Sequence, residues 1–311
     1  MVSQPSTMAH SSTDLTLCQH LSTQFTMKIN KISPDKNSFT QILTSIAVVP
    51  HTLYYTGELP AARIPTIAVV GTRRPTAYGT EVTTRLAGDL AKRGVIIVSG
   101  MALGVDGLAH RAALQAGGTT IAVQANGLDR LYPASHRQLG ADILANGGAI
   151  LSEYEPGTPS YPNQFLERNR IVSGLSDGIL ITEASARSGT LNTAHHALEQ
   201  GKEVFVVPGN ITSPLSSGCN ALLRQGATPV TRVEDILEVL APELLTAQTQ
   251  LALGDNPLQT TIIKLLQSGV RDGDELQRKA EANASDFTRE LTMMEIGGHI
   301  RALGANQWTL R

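Results

Sequence analysis

The sequence predicts an α/β fold built on a doubly wound parallel sheet, followed by a small C-terminal winged-helix module. From residue 66 to about 231, short apolar runs alternate with amphipathic stretches in the order strand, helix, strand. Several of the 28 glycines fall at the junctions between these segments, where tight turns are needed. After residue 257 the pattern changes to three helical stretches and a hairpin.

Seven apolar runs predict buried strands, because each is continuous, as expected when helices cover both faces of a sheet. They cover residues 66–70, 95–99, 120–123, 149–151, 178–182, 204–207 and 228–231. Six amphipathic stretches predict the intervening helices, at residues 81–93, 107–116, 135–146, 163–174, 191–200 and 220–225. Gly94, Gly117 and Gly201 directly follow three of these helices, where a left-handed C-terminal cap is typical.

The regions around the sheet complete the predicted domain organisation. Residues 1–27 are predicted to be a disordered tail, because the first 26 are rich in Ser and Thr and lack Lys, Arg and an apolar segment. Residues 28–240 form the α/β domain, and its first part is expected to be a short lead-in with a helical run at 39–45. The proline-flanked, polar residues 241–256 predict a linker.

Residues 257–311 are predicted to form the winged-helix domain. Helical patterns at 258–267, 273–282 and 286–296 precede a strand, a Gly/Asn turn and a second strand. Such modules often read DNA through their third helix. Here residues 286–295 carry one basic side chain, Arg289, and three acidic ones. Because a duplex reader needs Lys or Arg to neutralise phosphates, we expect contacts with protein instead.

Composition excludes several classes of protein. The formal net charge is −2, which excludes a uniformly basic, histone-like protein. Residues 61–230 carry 14 basic and 12 acidic side chains, and residues 231–311 carry 8 and 12, so an anion site is expected in the middle of the chain. Cys18 and Cys219 are far apart and have no partners at metal-ligand spacing, so we expect no metal, no disulfide and a cytoplasmic location. No apolar run approaches the roughly 18–20 residues of a membrane span.

The first candidate site follows the strand at 66–70, where Gly71 and Thr72 precede Arg73 and Arg74. Ligands of open α/β sheets bind outside the carboxyl ends of the strands. A glycine lets the backbone approach a phosphate closely, and a guanidinium grips it with two hydrogen bonds. The pattern favours phosphate binding, although an arginine that pairs with a carboxylate and a glycine that only turns the chain would give the same sequence.

A second glycine-rich turn, at 99–107, follows a strand and opens a helix. Its spacing is not the dinucleotide fingerprint, and no acidic residue ends the next strand to hold a ribose, which argues against an NAD site. The turn still suits an anion, although Asp106 is equally explained as a helix N-cap. We expect His110, one turn further on, to be a packed helix residue.

Two further segments complete the set of candidates. One face of a predicted helix carries Phe165, Arg168 and Asn169. Together with Arg170, these side chains could stack one base and bind its neighbouring phosphates. The alternative is that Phe165 packs in the core and the arginines form surface ion pairs. The segment 188–190 begins another helix with hydroxyl groups and a glycine, a second anion cradle. Neither a nucleophile–base arrangement nor a Walker sequence is evident, so no catalytic residue, enzymatic activity or cofactor is predicted.

The chain resembles the DprA/Smf family of DNA-processing proteins through seven motifs that follow one another from residue 70 to 210. They are Val-Gly-Thr-Arg-Arg-Pro-Thr-Ala-Tyr-Gly (70–79), Ser-Gly-Met-Ala-Leu-Gly-Val-Asp-Gly-Leu-Ala-His (99–110), Gly-Leu-Asp-Arg-Leu-Tyr-Pro (127–133), Leu-Ser-Glu-Tyr (151–154), Phe-Leu-Glu-Arg-Asn-Arg-Ile-Val-Ser-Gly-Leu-Ser (165–176), Glu-Ala-Ser-Ala-Arg-Ser-Gly-Thr-Leu-Asn-Thr-Ala (183–194) and Val-Pro-Gly-Asn (207–210).

This resemblance implies an extended Rossmann-like fold that binds single-stranded DNA, protects incoming strands during natural transformation and loads RecA recombinase onto them. It also implies a homodimer. Carried over by motif, the strand-contacting positions are Gly71, Thr72, Arg73, Arg74, Ser99, Gly100, Phe165, Arg168, Asn169, Arg170 and Lys202, to which the cradle adds Ser188, Gly189 and Thr190.

An enzymatic alternative is a nucleotide phosphoribohydrolase of the lysine-decarboxylase-like group, which the predicted fold also resembles. That group uses a Pro-Gly-Gly-x-Gly-Thr turn followed by a catalytic Glu. The corresponding stretch here, 187–193, lacks the Pro-Gly-Gly, and a small or polar residue stands at the Glu position.

Overall fold

The computed structural model describes residues 28–246 and 256–310. The predicted tail and residues 247–255 of the predicted linker lie outside the described residues. Among the described residues, nine strands form one sheet in the order β1-β2-β6-β5-β4-β3-β7-β8-β9. These strands are β1 (Asn30–Ile32), β2 (Leu53–Gly57), β3 (Thr66–Val70), β4 (Ile96–Ser99), β5 (Thr120–Val123), β6 (Ala149–Ser152), β7 (Gly178–Ile181), β8 (Glu203–Val206) and β9 (Thr228–Pro229).

Helices cover both faces of this sheet, which confirms the predicted doubly wound architecture. They are α1 (Ala77–Lys92), α2 (Val105–Gln115), α3 (Arg137–Ala145), α4 (Pro162–Gly174), α5 (Thr190–Glu199), α6 (Ser217–Arg224), α7 (Glu234–Leu240) and α8 (Glu243–Thr246). Gly94, Gly117 and Gly201 have φ values of 83°, 74° and 66°, as predicted for left-handed caps. None of the helices in the described ranges combines the length and the hydropathy that a membrane crossing requires.

The continuous apolar strands divide their side chains between two cores. Ala68 and Val70 of β3 belong to the core on one face, and Ile67 and Val69 belong to the core on the other. Alternation of side chains along each strand therefore fills both layers, which is why polar residues are confined to the ends of these strands.

The N-terminal lead-in is more structured than predicted. β1 pairs antiparallel with β2, and β2 pairs antiparallel with β6, so this segment extends the parallel sheet at one edge. The predicted helical run is a short 3-10 helix, Gln41–Ser45. At the other end of the domain, α8 occupies the start of the predicted linker, and its Leu244 and Leu245 pack against the sheet domain.

The C-terminal module contains α9 (Pro257–Gln267), α10 (Gly273–Lys279), α11 (Ala284–Ile296) and an antiparallel pair, β10 (Ile300–Gly304) and β11 (Gln307–Leu310). Asn256, Asp272 and Asn283 cap the three helices, each accepting from a backbone N–H at 2.9–3.1 Å. The helices and the hairpin confirm the predicted elements, and the assignment of the module as a winged helix stays a prediction.

His110 is fully buried on α2, as expected for a packed helix residue. Its Nδ1 lies 2.7 Å from the Oγ1 of Thr120, which donates its own hydrogen to the carbonyl of Ile97. Thr120 therefore accepts from His110, and the imidazole carries its hydrogen on Nδ1. The Nε2 atom has no hydrogen-bond partner among the described residues, and burial lowers the pKa of His110 to about 3.

We expect acid to destabilise this fold through His110. Its pKa is about 3 when folded and about 6.5 when unfolded, so only the unfolded state takes up the proton between these values. Between pH 7.5 and 5.0, urea unfolding should show the wild type losing about 2 kcal/mol more stability than His110→Asn. The exposed His195→Asn is the matched control, and equal losses in all three proteins would contradict the prediction.

Candidate nucleic-acid site

The order of the strands reverses between β3 and β7. The connections after β3, β4 and β5 carry the chain one way across the sheet, and α4 returns it to place β7 on the other side of β3. Loops that leave β3 and β7 at their carboxyl ends therefore separate and leave a crevice. A cavity of about 220 Å³ lies there.

The cavity is lined by four parts of the chain. These are residues 70–73 after β3, Gly100, Ala102 and Asp106 after β4, residues 188–190 with Thr193 at the start of α5, and Phe165, Leu166, Arg168, Asn169 and Val172 from α4. The structure thus brings together most of the residues that the sequence predicted, from segments up to 120 positions apart.

The loop after β3 is fixed from both sides. The N–H of Thr72 donates to the carbonyl of Glu183 at 2.8 Å, and the carbonyl of Thr72 accepts from the N–H of Val105 at 3.1 Å. A Cβ on Gly71 would lie 2.7 Å from the side chain of Val105, so this close approach requires glycine. The exposed guanidinium of Arg73 lies over the ring of Phe165, 5.5 Å from its centroid.

Carboxylates of the chain itself engage the predicted anion-binding turn at 99–107 and the neighbouring start of α1. At the start of α1, the Glu183 carboxylate accepts from the N–H and the hydroxyl of Thr76, at 2.8 and 2.7 Å. Before α2, Asp106 Oδ2 accepts from the N–H of Ala102 at 3.2 Å. Burial raises the pKa of Asp106, and the charge of Arg168 opposes that rise. Neither helix start has its full complement of donors left for a ligand.

The start of α5 differs from the other two. Its first turn contains no acidic residue. The N–H of Thr190 donates to the hydroxyl of Ser188 at 3.1 Å, and the N–H groups of Leu191 and Asn192 donate to the carbonyls of Ser188 and Gly189 at 3.1 and 3.2 Å, so no carboxylate occupies this helix start. Gly189 is exposed, and a Cβ built on it would meet nothing within 4 Å. This helix start faces the same cavity as Arg73, so its partial positive charge and the guanidinium can act on one anion.

Arg168 lies at the floor of the cavity and supports it. It is buried, and its Nη1 donates to the carbonyl of Gly100 at 2.6 Å and to the carbonyl of Val123. Burial lowers the pKa of Arg168 to about 10, so the side chain stays charged at neutral pH. Arg168 contributes positive potential from below and ties the loop after β4 to the end of β5.

The predicted shared face of α4 is confirmed, because Phe165, Arg168 and Asn169 all line the cavity. Phe165 is half-buried at the mouth. Arg170 does not join them: it lies about 200° around the helix from Arg168, where it forms an ion pair with Glu153 at 2.6 Å.

Three other predicted residues also lie outside the lining. Ser99 is buried and donates to the carbonyl of Val69 at 2.7 Å, which joins β4 to β3. Arg74 is exposed beside Arg73 but does not line the cavity. Lys202 precedes β8 at the amino ends of the strands, the opposite edge of the sheet. Burial lowers its pKa, and Asp177 opposes this.

Sequence reasoning missed two features of the site. Glu183 was identified only as part of a turn, since nothing in the sequence pairs it with Thr76, 107 positions earlier. Tyr132 packs against Phe165 with ring centroids 5.4 Å apart, a contact between the loop after β5 and helix α4 that no local pattern encodes.

The comparisons with known proteins agree with this architecture. A family model described as DNA recombination-mediator protein A matches residues 30–241, which is more than half of the chain. This chain belongs to that family. The match ends just before α8 and does not reach the C-terminal module of this family member.

Individual relatives match the same part of the chain. Protein Smf of Escherichia coli is 46% identical over 209 residues, which are 67% of this chain and 56% of that protein, so the alignment spans little more than half of this relative. DNA processing protein DprA of Bacillus subtilis is 41% identical over 213 residues, 68% of this chain and 71% of that protein.

Solved structures give the same result. DNA processing protein A from Streptococcus pneumoniae has a TM-score of 0.64 at 38% identity, covering 68% of this chain and 75% of that one. DNA processing protein A from Helicobacter pylori, described for its single-stranded DNA binding mode, has a TM-score of 0.62 at 32% identity. It covers 70% of this chain and 98% of that one.

Substitution by alanine should change the stability of this protein differently at Gly100 and at Gly189. A Cβ on Gly100 would lie 2.5 Å from the Nη2 of Arg168 and 2.7 Å from the Oδ2 of Asp106, so Gly100→Ala should cost about 1–3 kcal/mol of unfolding free energy. Gly189 has helical dihedral angles and open space, so Gly189→Ala should leave stability unchanged or slightly raised. Urea unfolding measures both, and a Gly100→Ala protein as stable as wild type would contradict the described packing.

Proposed function

We propose that this chain binds single-stranded DNA in the cavity at the carboxyl ends of β3, β4 and β7. The observation that carries the proposal is the meeting of Arg73 with the start of α5, which no carboxylate neutralises, at the point where the strand order reverses. Both groups attract an anion, and the family relative from Helicobacter pylori is described as binding single-stranded DNA.

A single strand fits this site better than a duplex. The cavity is a crevice between loops, and two aromatic rings, Phe165 and Tyr132, lie beside its arginine, so an unpaired base can stack close to a bound phosphate. Duplex readers instead present a basic helix to the major groove. In the third helix of the described C-terminal module, Arg289 is paired with Asp286 and Glu290, which leaves little charge for phosphates.

The phosphoribohydrolase alternative receives less support from the site. It requires a carboxylate that faces the substrate, and the nearest one after β7, Glu183, is held by Thr76 at the start of α1. Asp106 does line the cavity, but Ala102 and the charge of Arg168 engage it. We therefore propose a binding protein that does not hydrolyse its ligand.

The wider role is also a proposal. The family is described as a recombination mediator, which supports the inference that this protein protects DNA taken up in natural transformation, delivers it to RecA recombinase and acts as a homodimer. An exposed apolar groove between α5 and α6, lined by Leu191, Leu198 and Leu222, offers a surface for self-association.

Binding to labelled oligonucleotides tests the proposed function, and Arg73 provides the decisive variant. The wild type should bind oligo(dT) more tightly than blunt duplex and should leave nucleoside monophosphates intact. Affinity should fall as salt rises, because bound arginines displace counterions. Arg73→Gln should weaken binding and reduce the steepness of log K against log salt by about 0.7, the value for one phosphate contact on a single strand.

Lys202→Gln is the control for this measurement, because Lys202 lies at the opposite edge of the sheet. It should bind as the wild type does. Equal binding of duplex, release of a free base from a monophosphate, or a Lys202→Gln defect as large as that of Arg73→Gln would contradict the proposal.

The C-terminal module should contribute little to this binding. The match with the family ends at residue 241, and the cavity is lined entirely by residues 70–193. A chain that ends at 246 retains α8 and its packing on the sheet domain, so it should stay folded and bind oligo(dT) with nearly unchanged affinity. A folded truncation that loses most of its affinity would instead make the module part of the DNA site.

A further inference from the structure

Tyr132 stands beside the mouth of the cavity in the loop that follows β5. Its backbone N–H donates to the Oε1 of Gln124, 3.4 Å away, and its ring packs against Phe165 with the two planes inclined by 58°. The side chain is still 45% exposed. One part of the ring is therefore held by Phe165, and the rest faces solvent.

Phe165, the aromatic residue that the sequence singled out, has little of its ring left for a base. The guanidinium of Arg73 lies over the ring, and Tyr132 packs against it as well. The side chain of Phe165 is half-buried and lies between these two neighbours. A base stacked on Phe165 would displace the arginine that is proposed to bind the phosphate.

We propose that Tyr132 is the side chain on which a base of the bound strand stacks, and that Phe165 is a positioning residue that holds Arg73 at the mouth of the cavity. This inference rests on the proposed function and assigns its two rings to different tasks. Arg73 and the start of α5 bind phosphate, and Tyr132 binds the face of a base.

The layout of the sheet supports this division. β7, β3, β4 and β5 are neighbours in that order, so the start of α5 and Tyr132 are separated by three strand spacings, about 14 Å. A ligand that engages both must extend along the carboxyl edge of the sheet, as a strand of nucleotides does. Stacking on tyrosine accepts every base, because every base has a π face, so binding without sequence preference is expected.

Oligonucleotides with and without bases separate the two roles. Oligo(dT) and an abasic oligonucleotide of equal length carry the same phosphates, so only a stacking residue distinguishes them. Tyr132→Leu should weaken binding of oligo(dT) about five- to 150-fold and change binding of the abasic strand less than twofold. Tyr132→Phe should bind as the wild type does. Phe165→Leu should weaken both ligands equally, because it acts through Arg73.

Tyr78→Leu is the matched control. Tyr78 is 46% exposed at the same edge of the sheet, but its hydroxyl donates to the carbonyl of Pro208 after β8, and Tyr78 does not line the cavity. It should bind both ligands normally. If the wild type binds neither ligand, the proposed function fails. If it binds oligo(dT) but Tyr132→Leu affects both ligands equally or neither, only the assignment of Tyr132 is overturned.

A crosslinking measurement on the wild-type protein needs no folded variant. Oligonucleotides that each carry one 5-iododeoxyuridine, placed at successive positions, are irradiated with the protein, and the adduct is located by mass spectrometry. An adduct on Tyr132 is the expected result. Adducts on Phe165 or elsewhere, or no adduct from any position, would overturn the assignment.

Discussion

The reversal of strand order beside β3 is the constraint on which the site depends. It places the carboxyl ends of two neighbouring strands, β3 and β7, under loops that leave in opposite directions, and the cavity is the gap between those loops. The parallel strands themselves are buried on both faces and carry no functional side chain. Apart from Val70 at the end of β3, the lining is supplied by loops, helix starts and one face of α4.

Within that gap, electrostatics selects where an anion can bind. Three helices begin near the cavity, and each start offers backbone N–H groups. The fold occupies two of them with its own carboxylates, Glu183 at α1 and Asp106 before α2. The backbone carbonyl of Glu183 also accepts a hydrogen bond from the N–H of Thr72. Glu183 therefore both occupies the start of α1 and fixes the loop that carries Arg73. Positive charge is left concentrated at Arg73 and α5, with Arg168 beneath them.

Patterns that are local in the sequence predicted most of this structure. The continuous apolar runs located β3 to β8 because burial on both faces leaves polar residues only at the strand ends. The i, i+3 and i, i+4 spacing on α4 correctly joined Phe165 to Arg168 and Asn169. β1 and β2 were missed because they are short strands with mixed burial, which gives no clear period. Arg170 was grouped with the site through its nearness in the sequence, although the helix turns it toward Glu153.

Contacts between distant segments were beyond such reasoning. The positions of Lys202 at the opposite edge and of Tyr132 beside Phe165 follow from how loops fold over the sheet, and no periodicity records this. The same is true of Glu183 and Thr76, whose pairing occupies the start of α1 with a carboxylate of the chain. Sequence thus identified the residue types of the site, and the fold decided which of them face the ligand.

The structure of this protein in complex with oligo(dT) tests the central claim most directly. We expect one phosphate within hydrogen-bond distance, about 2.7–3.2 Å, of both the Arg73 guanidinium and the backbone N–H of the exposed Gly189 at the start of α5. A strand bound elsewhere, across the amino edge near Lys202 or on the C-terminal module, with the cavity between β3 and β7 left open, would contradict it.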